Sequence, residues 1–319
     1  MSRPRAIILT GPTASGKTHL AVSLARHLDG EIISADSRQV FRHLDIGTGK
    51  DLEEYGEIPY HLIDILEPEE PFHLFEYLKL AQTALDDITT RGKLPIICGG
   101  TPLYIKALLE GYSYSGGEPD EALRQQLASL PLETLVDILK KEAAPELFQR
   151  TDLTQARRVI RAIELARNAQ MTQQEPFLSH PLILAPYFPR EEIRARIQRR
   201  LTARLEHGLV EEVESLHQKG LSWERMEWLG LEYRFLSRFL RGLLSRKEME
   251  EQLFQHICQF AKRQDGWFRS LERSGHIIHW IPEGKEEEAL SLARLWLEGK
   301  PLPPPALRLD DIRYGEKSQ

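Results

Sequence analysis

Short apolar runs alternate with amphipathic stretches over the first hundred residues. The apolar runs predict strands at Ala6–Thr10, Glu31–Ala35, Tyr60–Ile65 and Leu94–Cys98. Apolar residues at helical spacing predict helices at His19–Leu28 and Phe75–Thr90. Strands joined by helical crossovers form a parallel sheet with helices on both faces, and such sheets bind ligands beyond the carboxyl ends of their strands. We therefore expect the chemistry to lie directly after these four strands.

The pattern changes after Gly111. Residues 112–119 are rich in glycine, serine and proline, which predicts a boundary, and residues 121–168 have the pattern of consecutive helices. Further on, the pattern predicts a strand at Leu182–Ala185, a long helix from Ile193 that is kinked at Gly208, a helix at Arg246–Leu271 and a strand at His276–Ile281. We expect a core of residues 1–115 and 182–300, a helical insertion at 116–181 and a disordered tail at 301–319.

Composition describes a globular protein that stays in the cytoplasm. The chain has 319 residues, of which 41% are apolar and 28% charged. No apolar run approaches the ~18 residues that cross a bilayer, and the first residues lack a signal-peptide pattern. The two cysteines, Cys98 and Cys258, are too far apart for zinc-ligand spacing. We expect no membrane partner, no disulfide and no structural zinc.

The net charge of -6 by itself disfavours nucleic-acid binding. That average conceals a basic segment, because residues 150–204 contain eleven arginines and five acidic residues, a local charge of +6. Such a run is commonly a solvated helical face. The excess is arginine alone, however, and the planar arginine fork suits phosphate recognition.

A phosphate-loop pattern, G-x-x-x-x-G-K-[ST], lies between the first predicted strand and helix, as Gly11-Pro12-Thr13-Ala14-Ser15-Gly16-Lys17-Thr18. In such a loop, backbone N–H groups surround phosphate oxygens, the helix dipole and the lysine add positive potential, and the final hydroxyl can ligate Mg²⁺. The sequence therefore predicts a phosphate-loop α/β fold, similar to that of the P-loop NTPases, with an all-helical insertion. The motif indicates a di- or triphosphate site, including nucleotides such as ATP, without specifying the reaction.

Polar residues follow the other predicted strands. Asp36 could be a general base, a metal ligand or the N-cap of the next helix. Asp64 could hold Mg²⁺, as a Walker-B carboxylate does, or cap a strand end. Thr101, after the glycine pair Gly99-Gly100, could donate a hydrogen bond to a ligand or only cap a helix.

Seven segments occur in the order of one known family. They are Gly11–Thr18, Ile33-Ser-Ala-Asp-Ser37, Asp45-Ile-Gly-Thr48, Gly99-Gly-Thr-Pro-Leu-Tyr104, Ala107-Leu-Leu-Glu-Gly111, Arg158-Val-Ile-Arg-Ala-Ile-Glu164 and Ala261-Lys-Arg-Gln-Asp-Gly-Trp-Phe-Arg269. Together they resemble the bacterial tRNA dimethylallyltransferases, also called tRNA isopentenyltransferases. The match spans about Ala6 to Ile281.

The resemblance implies transfer of a dimethylallyl group from dimethylallyl diphosphate to N6 of adenine 37, beside the tRNA anticodon. It implies that Asp36 is the general base, with Lys17 and Thr13 also catalytic, and that Gly11–Thr18 hold the diphosphate with Mg²⁺ on Thr18. We expect a monomer that grips the anticodon stem-loop. The residues implied to contact tRNA are Asp36, Ser37, Arg38, Gln39, Thr101, Arg124, Arg157, Arg158, Arg161, Lys262 and Arg263.

The chain departs from the family pattern at two places. Thr154-Gln155 replaces the usual Asn-Asp ahead of the arginine-rich helix, so that helix starts differently. Gly230-Leu-Glu-Tyr-Arg234 replaces the usual Gly-Tyr-Lys or Gly-Tyr-Arg. A family arginine near this point assists the diphosphate, and Arg234, Arg225 or neither takes that place here.

Three rival functions fit a phosphate loop. They are an adenylate isopentenyltransferase, a phosphate-loop small-molecule kinase and a nucleotide-dependent switch protein. The arginine-bearing insertion separates the first two from the main hypothesis, because an acceptor of nucleotide size does not need it.

Overall fold

The computed structural model describes residues 3–111, 120–167 and 175–312. The chain divides into two compact units, Met1–Leu109 with Phe177–Gln319 and Glu110–Pro176. The first unit thus ends at Leu109 and resumes at Phe177, slightly before the predicted boundaries at 115 and 182. The glycine-, serine- and proline-rich boundary at 112–119 lies outside the described residues.

A six-stranded sheet forms the centre of the first unit. Its strands are β1 (Ile7–Leu9), β2 (Gly30–Ser34), β3 (Tyr60–His61), β4 (Leu94–Cys98), β5 (Leu182–Tyr187) and β6 (Ile278–Pro282). They pair in parallel in the order β3-β2-β4-β1-β5-β6, as expected for strands that are apolar on both faces. The predicted strands are confirmed, although β3 is short because Leu62 and Asp64 adopt left-handed backbone angles, with φ of 64° and 55°.

Thirteen α-helices lie in the three ranges that the structure describes. In the first unit they are α1 (Lys17–Leu28), α2 (Leu74–Thr90), α3 (Pro102–Glu110), α8 (Arg190–Glu206), α9 (Leu209–Gln218), α10 (Trp223–Leu229), α11 (Leu231–Leu240), α12 (Arg246–Arg273) and α13 (Glu286–Leu297), α3 ending at the junction of the units. In the second unit they are α4 (Glu121–Ala128), α5 (Leu132–Glu142), α6 (Pro145–Arg150) and α7 (Ala156–Arg167). Among the described residues, no helix is long and apolar enough to span a membrane.

The long helix predicted from Ile193 is two helices, α8 and α9. Gly208 lies between them with φ of 97°, a left-handed conformation that glycine adopts without steric cost. The apolar stripe continues across the break, because Ile193, Ile197, Leu201 and Val213 are all buried in one cluster. The break redirects the chain while both helices pack on the same core.

The prediction of disorder from residue 301 is wrong for the part described, up to residue 312. The buried Glu272 carboxylate on α12 accepts hydrogen bonds from the Leu309 and Asp310 N–H groups, at 3.2 and 3.0 Å. Leu309 is itself buried, and the Arg273 guanidinium lies 2.9 Å from the Asp310 carboxylate. The proline and charge content of the segment predicts disorder, because composition does not show that a buried carboxylate in a distant helix binds it.

The second unit is a small helical body with a charged centre. Leu135, Leu139 and Ile163 form its apolar core. Beside them, the fully buried Glu164 carboxylate accepts hydrogen bonds from Arg124 at 2.7 and 3.0 Å and from Arg161 at 3.0 Å. Burial raises the pKa of Glu164, but these hydrogen bonds outweigh it and hold the pKa below 4.5. The carboxylate therefore stays ionised and ties α4 to α7.

We expect Glu164→Gln to destabilise the second unit by about 3 kcal/mol at pH 7, because both arginines lose their buried counter-ion. Since the folded-state pKa is lowered, the ion pair stabilises fully above 4.5, and its contribution declines as the pH falls through the lowered value. Hydrogen exchange of peptides from α4 and α7, corrected for intrinsic rates, should show wild type and variant converging in acid. Asp152→Asn, which breaks an exposed pair with Arg158, is the control and should leave protection unchanged.

Candidate active site

A cavity of about 850 Å³ opens at the carboxyl edge of the sheet, within the first unit. The loops after β1, β2 and β4 form one side of it, and side chains from α8, α11 and α12 form the other. The sequence-predicted residues that line it are Thr13, Ala14, Gly16, Lys17, Thr18, Asp36, Ser37, Arg38, Gln39 and Thr101. The cavity thus lies where a parallel sheet binds ligands.

The phosphate loop forms the floor of the cavity at the start of α1. Gly11 and Pro12 are buried and do not line it. The Ser15 hydroxyl is also buried, and it lacks a hydrogen-bond partner in the part of the chain that the structure describes. Ser15 does not line the cavity either, so the loop residues that face a ligand there are Thr13, Ala14, Gly16, Lys17 and Thr18.

Asp36 reaches the cavity from the end of β2. Its Oδ1 accepts a hydrogen bond from the Arg38 N–H at 2.9 Å, which closes a turn. Residues 37–40 form turns and no helix follows directly, so the helix N-cap interpretation is wrong. The carboxylate lines the same cavity as the phosphate loop, which leaves the general-base and metal-ligand interpretations.

Close backbone contact brings the ends of β2 and β4 together. A Cβ atom on Gly99 would lie 2.3 Å from the Ala35 carbonyl oxygen, so only glycine fits. The Thr101 N–H donates to the same carbonyl at 3.1 Å, and the Thr101 hydroxyl accepts from the Ser37 N–H at 3.0 Å. Thr101 therefore fixes the turn that carries Asp36.

Six cationic side chains line the cavity: Lys17, Arg38, Arg196, Arg199, Arg200 and Arg204. Burial lowers the pKa of Lys17, and Arg200 and Arg204 lower it further, while the Asp36 carboxylate opposes that change. Burial and the neighbouring Arg204 lower the pKa of Arg200 to about 10. Both values fall because positive charge is held close together with little water, which favours a polyanionic ligand.

Cys98 is a buried neutral thiol in this cavity. Burial raises its pKa to about 12, so the thiolate that a nucleophile requires is not formed near neutral pH. The acidic side chains that line the cavity beside the cations are Asp36, Asp51, Glu54 and Glu232.

Sequence reasoning missed Arg200, Arg204 and Gln264. The arginine spacing was a usable signal, because Arg196, Arg200 and Arg204 recur every four residues beside the apolar stripe of α8. Gln264 belongs to the Ala-Lys-Arg-Gln segment, of which the lysine and arginine were predicted to be functional. Only packing of α12 against the phosphate loop shows that its glutamine faces the cavity.

Other predicted site residues lie in different surroundings. Lys262 and Arg263 are exposed on α12, and Lys262 lines a separate cavity of about 480 Å³. Gln39 is buried, accepts from the Ser34 hydroxyl at 2.9 Å and donates to the Gly49 carbonyl at 3.0 Å. It therefore supports the wall of the main cavity.

Asp64, Arg225 and Arg234 do not line the cavity. Asp64 pairs with the fully buried Lys50 ammonium, so its carboxylate neutralises an internal charge. Arg225 donates to the Pro68 and Glu70 carbonyls, at 2.6 and 2.7 Å. Arg234 donates to the Glu227 carbonyl at 3.0 and 3.1 Å. Neither arginine occupies the diphosphate position that the family pattern suggested.

The four predicted arginines of the second unit differ in their surroundings. Arg124 and Arg161 hold Glu164, as described above. Arg157 and Arg158 are exposed at the start of α7, and Arg158 lies 2.6 Å from the Asp152 carboxylate. Arg157 and Arg158 thus carry positive charge at the surface of the second unit.

The residues present suit Mg²⁺ bound together with a phosphate ligand. No group of three or more His, Cys, Asp or Glu side chains that could hold a metal occurs in the described ranges. Mg²⁺ commonly takes one or two protein oxygens and completes its shell with phosphates and water. The Thr18 hydroxyl and the Asp36 carboxylate are hard oxygen donors in this cavity.

Comparison with known families and proteins agrees with this geometry. Residues 39–271 match the IPP transferase family, and residues 4–57 match the isopentenyl transferase family. The chain is 50% identical to tRNA dimethylallyltransferase 2 of Trichlorobacter lovleyi, over 86% of this chain and 91% of that protein. It is 47% identical to tRNA dimethylallyltransferase 1 of Geotalea uraniireducens, over 91% and 97% of the two chains.

Solved structures share the architecture. The tRNA delta(2)-isopentenylpyrophosphate transferase of Staphylococcus epidermidis matches with a TM-score of 0.68 at 34% identity, over 93% of this chain and 99% of that chain. A eukaryotic dimethylallyltransferase that acts on tRNA matches in fold, with a TM-score of 0.82 at 23% identity, over 94% and 81%. The family match over most of the sequence and the similarity to these relatives show that the chain belongs to the IPP transferase family of prenyltransferases.

Proposed function

We propose that this enzyme transfers a dimethylallyl group from dimethylallyl diphosphate to N6 of adenine 37 in tRNA, giving N6-isopentenyladenosine. The observation that carries the proposal is one cavity lined by a carboxylate, Asp36, and by a cationic phosphate loop. The carboxylate suits the acceptor amine and the cations suit the donor diphosphate.

In the proposed reaction, the adenine N6 attacks C1 of the dimethylallyl group, and the bond from C1 to the diphosphate oxygen breaks. Asp36 accepts the proton that N6 loses, because the adenine amine is a poor nucleophile until that proton is removed. The phosphate-loop N–H groups, Lys17 and Arg200 balance the charge that develops on the leaving diphosphate. Mg²⁺, held by Thr18 and the diphosphate oxygens, would neutralise further charge when bound.

The acceptor half of the proposal rests on the relatives and on the second unit. Relatives that match over most of their length are named as tRNA dimethylallyltransferases. An adenine inside a stacked anticodon loop must leave the stack to reach a recessed carboxylate. Exposed Arg157 and Arg158 supply charge for the RNA backbone. We propose that the enzyme is monomeric, because one chain supplies every residue in this scheme. We also propose that it acts in the cytoplasm.

The rival acceptor is a free adenine nucleotide, because the isopentenyl transferase family that matches residues 4–57 is not named for an acceptor. Incubation with labelled dimethylallyl diphosphate and either undermodified tRNA or AMP separates the two. We expect label in tRNA alone, mapped to adenine 37 by nuclease digestion. Label in AMP alone, or phosphate transfer from ATP to either acceptor, would refute the proposal.

Asp36→Asn should reduce kcat by about 100- to 10,000-fold, because the amide cannot accept the N6 proton. The tRNA Kd should change little, since the amide keeps the shape of the side chain and one oxygen that can accept the Arg38 N–H. Single-turnover transfer and filter binding measure the two effects. Asp86→Asn, on the exposed face of α2, is a matched control with wild-type turnover. A variant at position 36 with near-normal kcat would exclude the general-base role.

Arg200→Met should raise the KM for dimethylallyl diphosphate by about 10- to 100-fold, because a charge-assisted contact to the diphosphate is lost. Arg200→Lys should recover part of this loss by keeping the charge. The matched control is Arg246→Met, because Arg246 is an exposed arginine of the first unit that lies outside the cavity and pairs with Glu250. If the charge at position 200 contributed nothing, its Met variant would have the KM of the control.

The double substitution Arg157→Ala and Arg158→Ala should weaken tRNA binding and reduce the slope of log Kd against log salt by about one per lost phosphate contact. The donor KM should stay unchanged, because neither residue lines the cavity. Binding titrations at several salt concentrations give the slope. Arg246→Ala, an exposed arginine of the first unit, is the control. An unchanged slope would mean that Arg157 and Arg158 are ordinary solvated surface residues that do not contact tRNA phosphates.

A further inference from the structure

We propose that Gln264 is a positioning residue that holds the phosphate loop in its donor-binding conformation, by joining Thr13 to Gly100. This inference rests on the proposed function and adds one part to it. Gln264 lies on α12, more than 240 residues along the chain from the loop that it fixes. No group on the substrate need touch it.

The Gln264 amide makes a two-sided connection inside the cavity. Its Oε1 accepts a hydrogen bond from the Thr13 N–H at 2.9 Å, and its Nε2 donates to the Gly100 carbonyl at 3.2 Å. The residue is 3% exposed. One buried side chain therefore joins the loop after β1 to the loop after β4.

The chemistry of this connection requires a primary amide. The Thr13 N–H needs an acceptor and the Gly100 carbonyl needs a donor, and glutamine offers both at one end of its side chain. Space is also limited, because a Cβ atom on Gly100 would lie 3.2 Å from the Gln264 Nε2 and 3.5 Å from the Lys17 Cε. The absence of a side chain at Gly100 thus leaves room for the Gln264 amide beside Lys17.

Thr13 is held from a second direction as well. Its hydroxyl accepts a hydrogen bond from the Arg200 guanidinium at 2.7 Å. The Thr13 N–H points at Gln264, so the diphosphate uses other N–H groups of the loop. Since Arg200 lies on α8 and Gln264 on α12, two helices from the second half of the chain fix the conformation of a loop from the first.

Pre-positioned N–H groups hold the diphosphate both in the bound donor and during its departure. Loss of the Gln264 connection should therefore weaken both states alike, which raises the donor KM and leaves kcat nearly unchanged. We expect Gln264→Met, which keeps the length of the side chain but removes both hydrogen bonds, to raise the KM for dimethylallyl diphosphate about tenfold. The tRNA Kd should stay within about twofold of wild type.

Gln259→Met is the matched control, because the same substitution falls on the same helix at an exposed position outside the main cavity. Its donor KM should equal that of wild type. A merely structural role for Gln264 predicts a lower thermal midpoint and fewer active molecules, hence a lower apparent kcat with an unchanged KM. That result, or a wild-type KM in Gln264→Met, overturns the inference.

Gln264→Glu gives a pH test that a structural role does not predict. Above the carboxyl pKa, the variant presents a negative charge to the diphosphate and cannot donate to the Gly100 carbonyl. When protonated, it both accepts and donates, as the amide does. The ratio of variant to wild-type donor KM should therefore fall toward one as the pH is lowered, and a ratio that is constant with pH contradicts the proposal. If wild type itself transfers no label to tRNA, the proposed function fails, and not the role of Gln264 alone.

Discussion

The active site depends on the contact between the ends of β2 and β4, where Gly99 lies against the Ala35 carbonyl. Because this contact admits no side chain, the turn after β2 is pressed against the turn after β4, and Thr101 then bonds to both. Asp36 follows Ala35 directly. Its carboxylate therefore lies in the cavity that the phosphate loop also lines.

The second constraint is electrostatic. Lys17, Arg200 and Arg204 share a cavity in which burial and mutual repulsion lower the pKa of Lys17 and Arg200. Holding these charges together destabilises the folded protein when no ligand is bound. It strengthens the binding of a diphosphate, because the negative charge of the ligand relieves the repulsion. The same arrangement suits a leaving group whose charge grows as the reaction proceeds. A loop usually associated with phosphoryl transfer can thus serve carbon–nitrogen bond formation.

Helices from the second half of the chain add side chains to the cavity that the phosphate loop lines. Helix α8 supplies Arg200 and Arg204, and α12 supplies Gln264. Charge in the arginine-rich stretch therefore has two uses, because Arg200 and Arg204 face the cavity while Arg161 neutralises Glu164 in the second unit. A count of arginines along the sequence could not distinguish a buried counter-ion from a ligand contact.

The sequence by itself determined the parallel sheet, the phosphate loop, the position of Asp36 and the helical insertion. These features follow from local patterns: apolar runs make buried strands, and a glycine loop between a strand and a helix makes a phosphate site. The tertiary structure alone decided the partners of long-range groups. It paired Asp64 with Lys50, placed Gln264 against Thr13, anchored Leu309 through Glu272 and kept Arg225 and Arg234 out of the cavity. A polar side chain takes whichever partner packing brings to it, and spacing along the chain does not encode that partner.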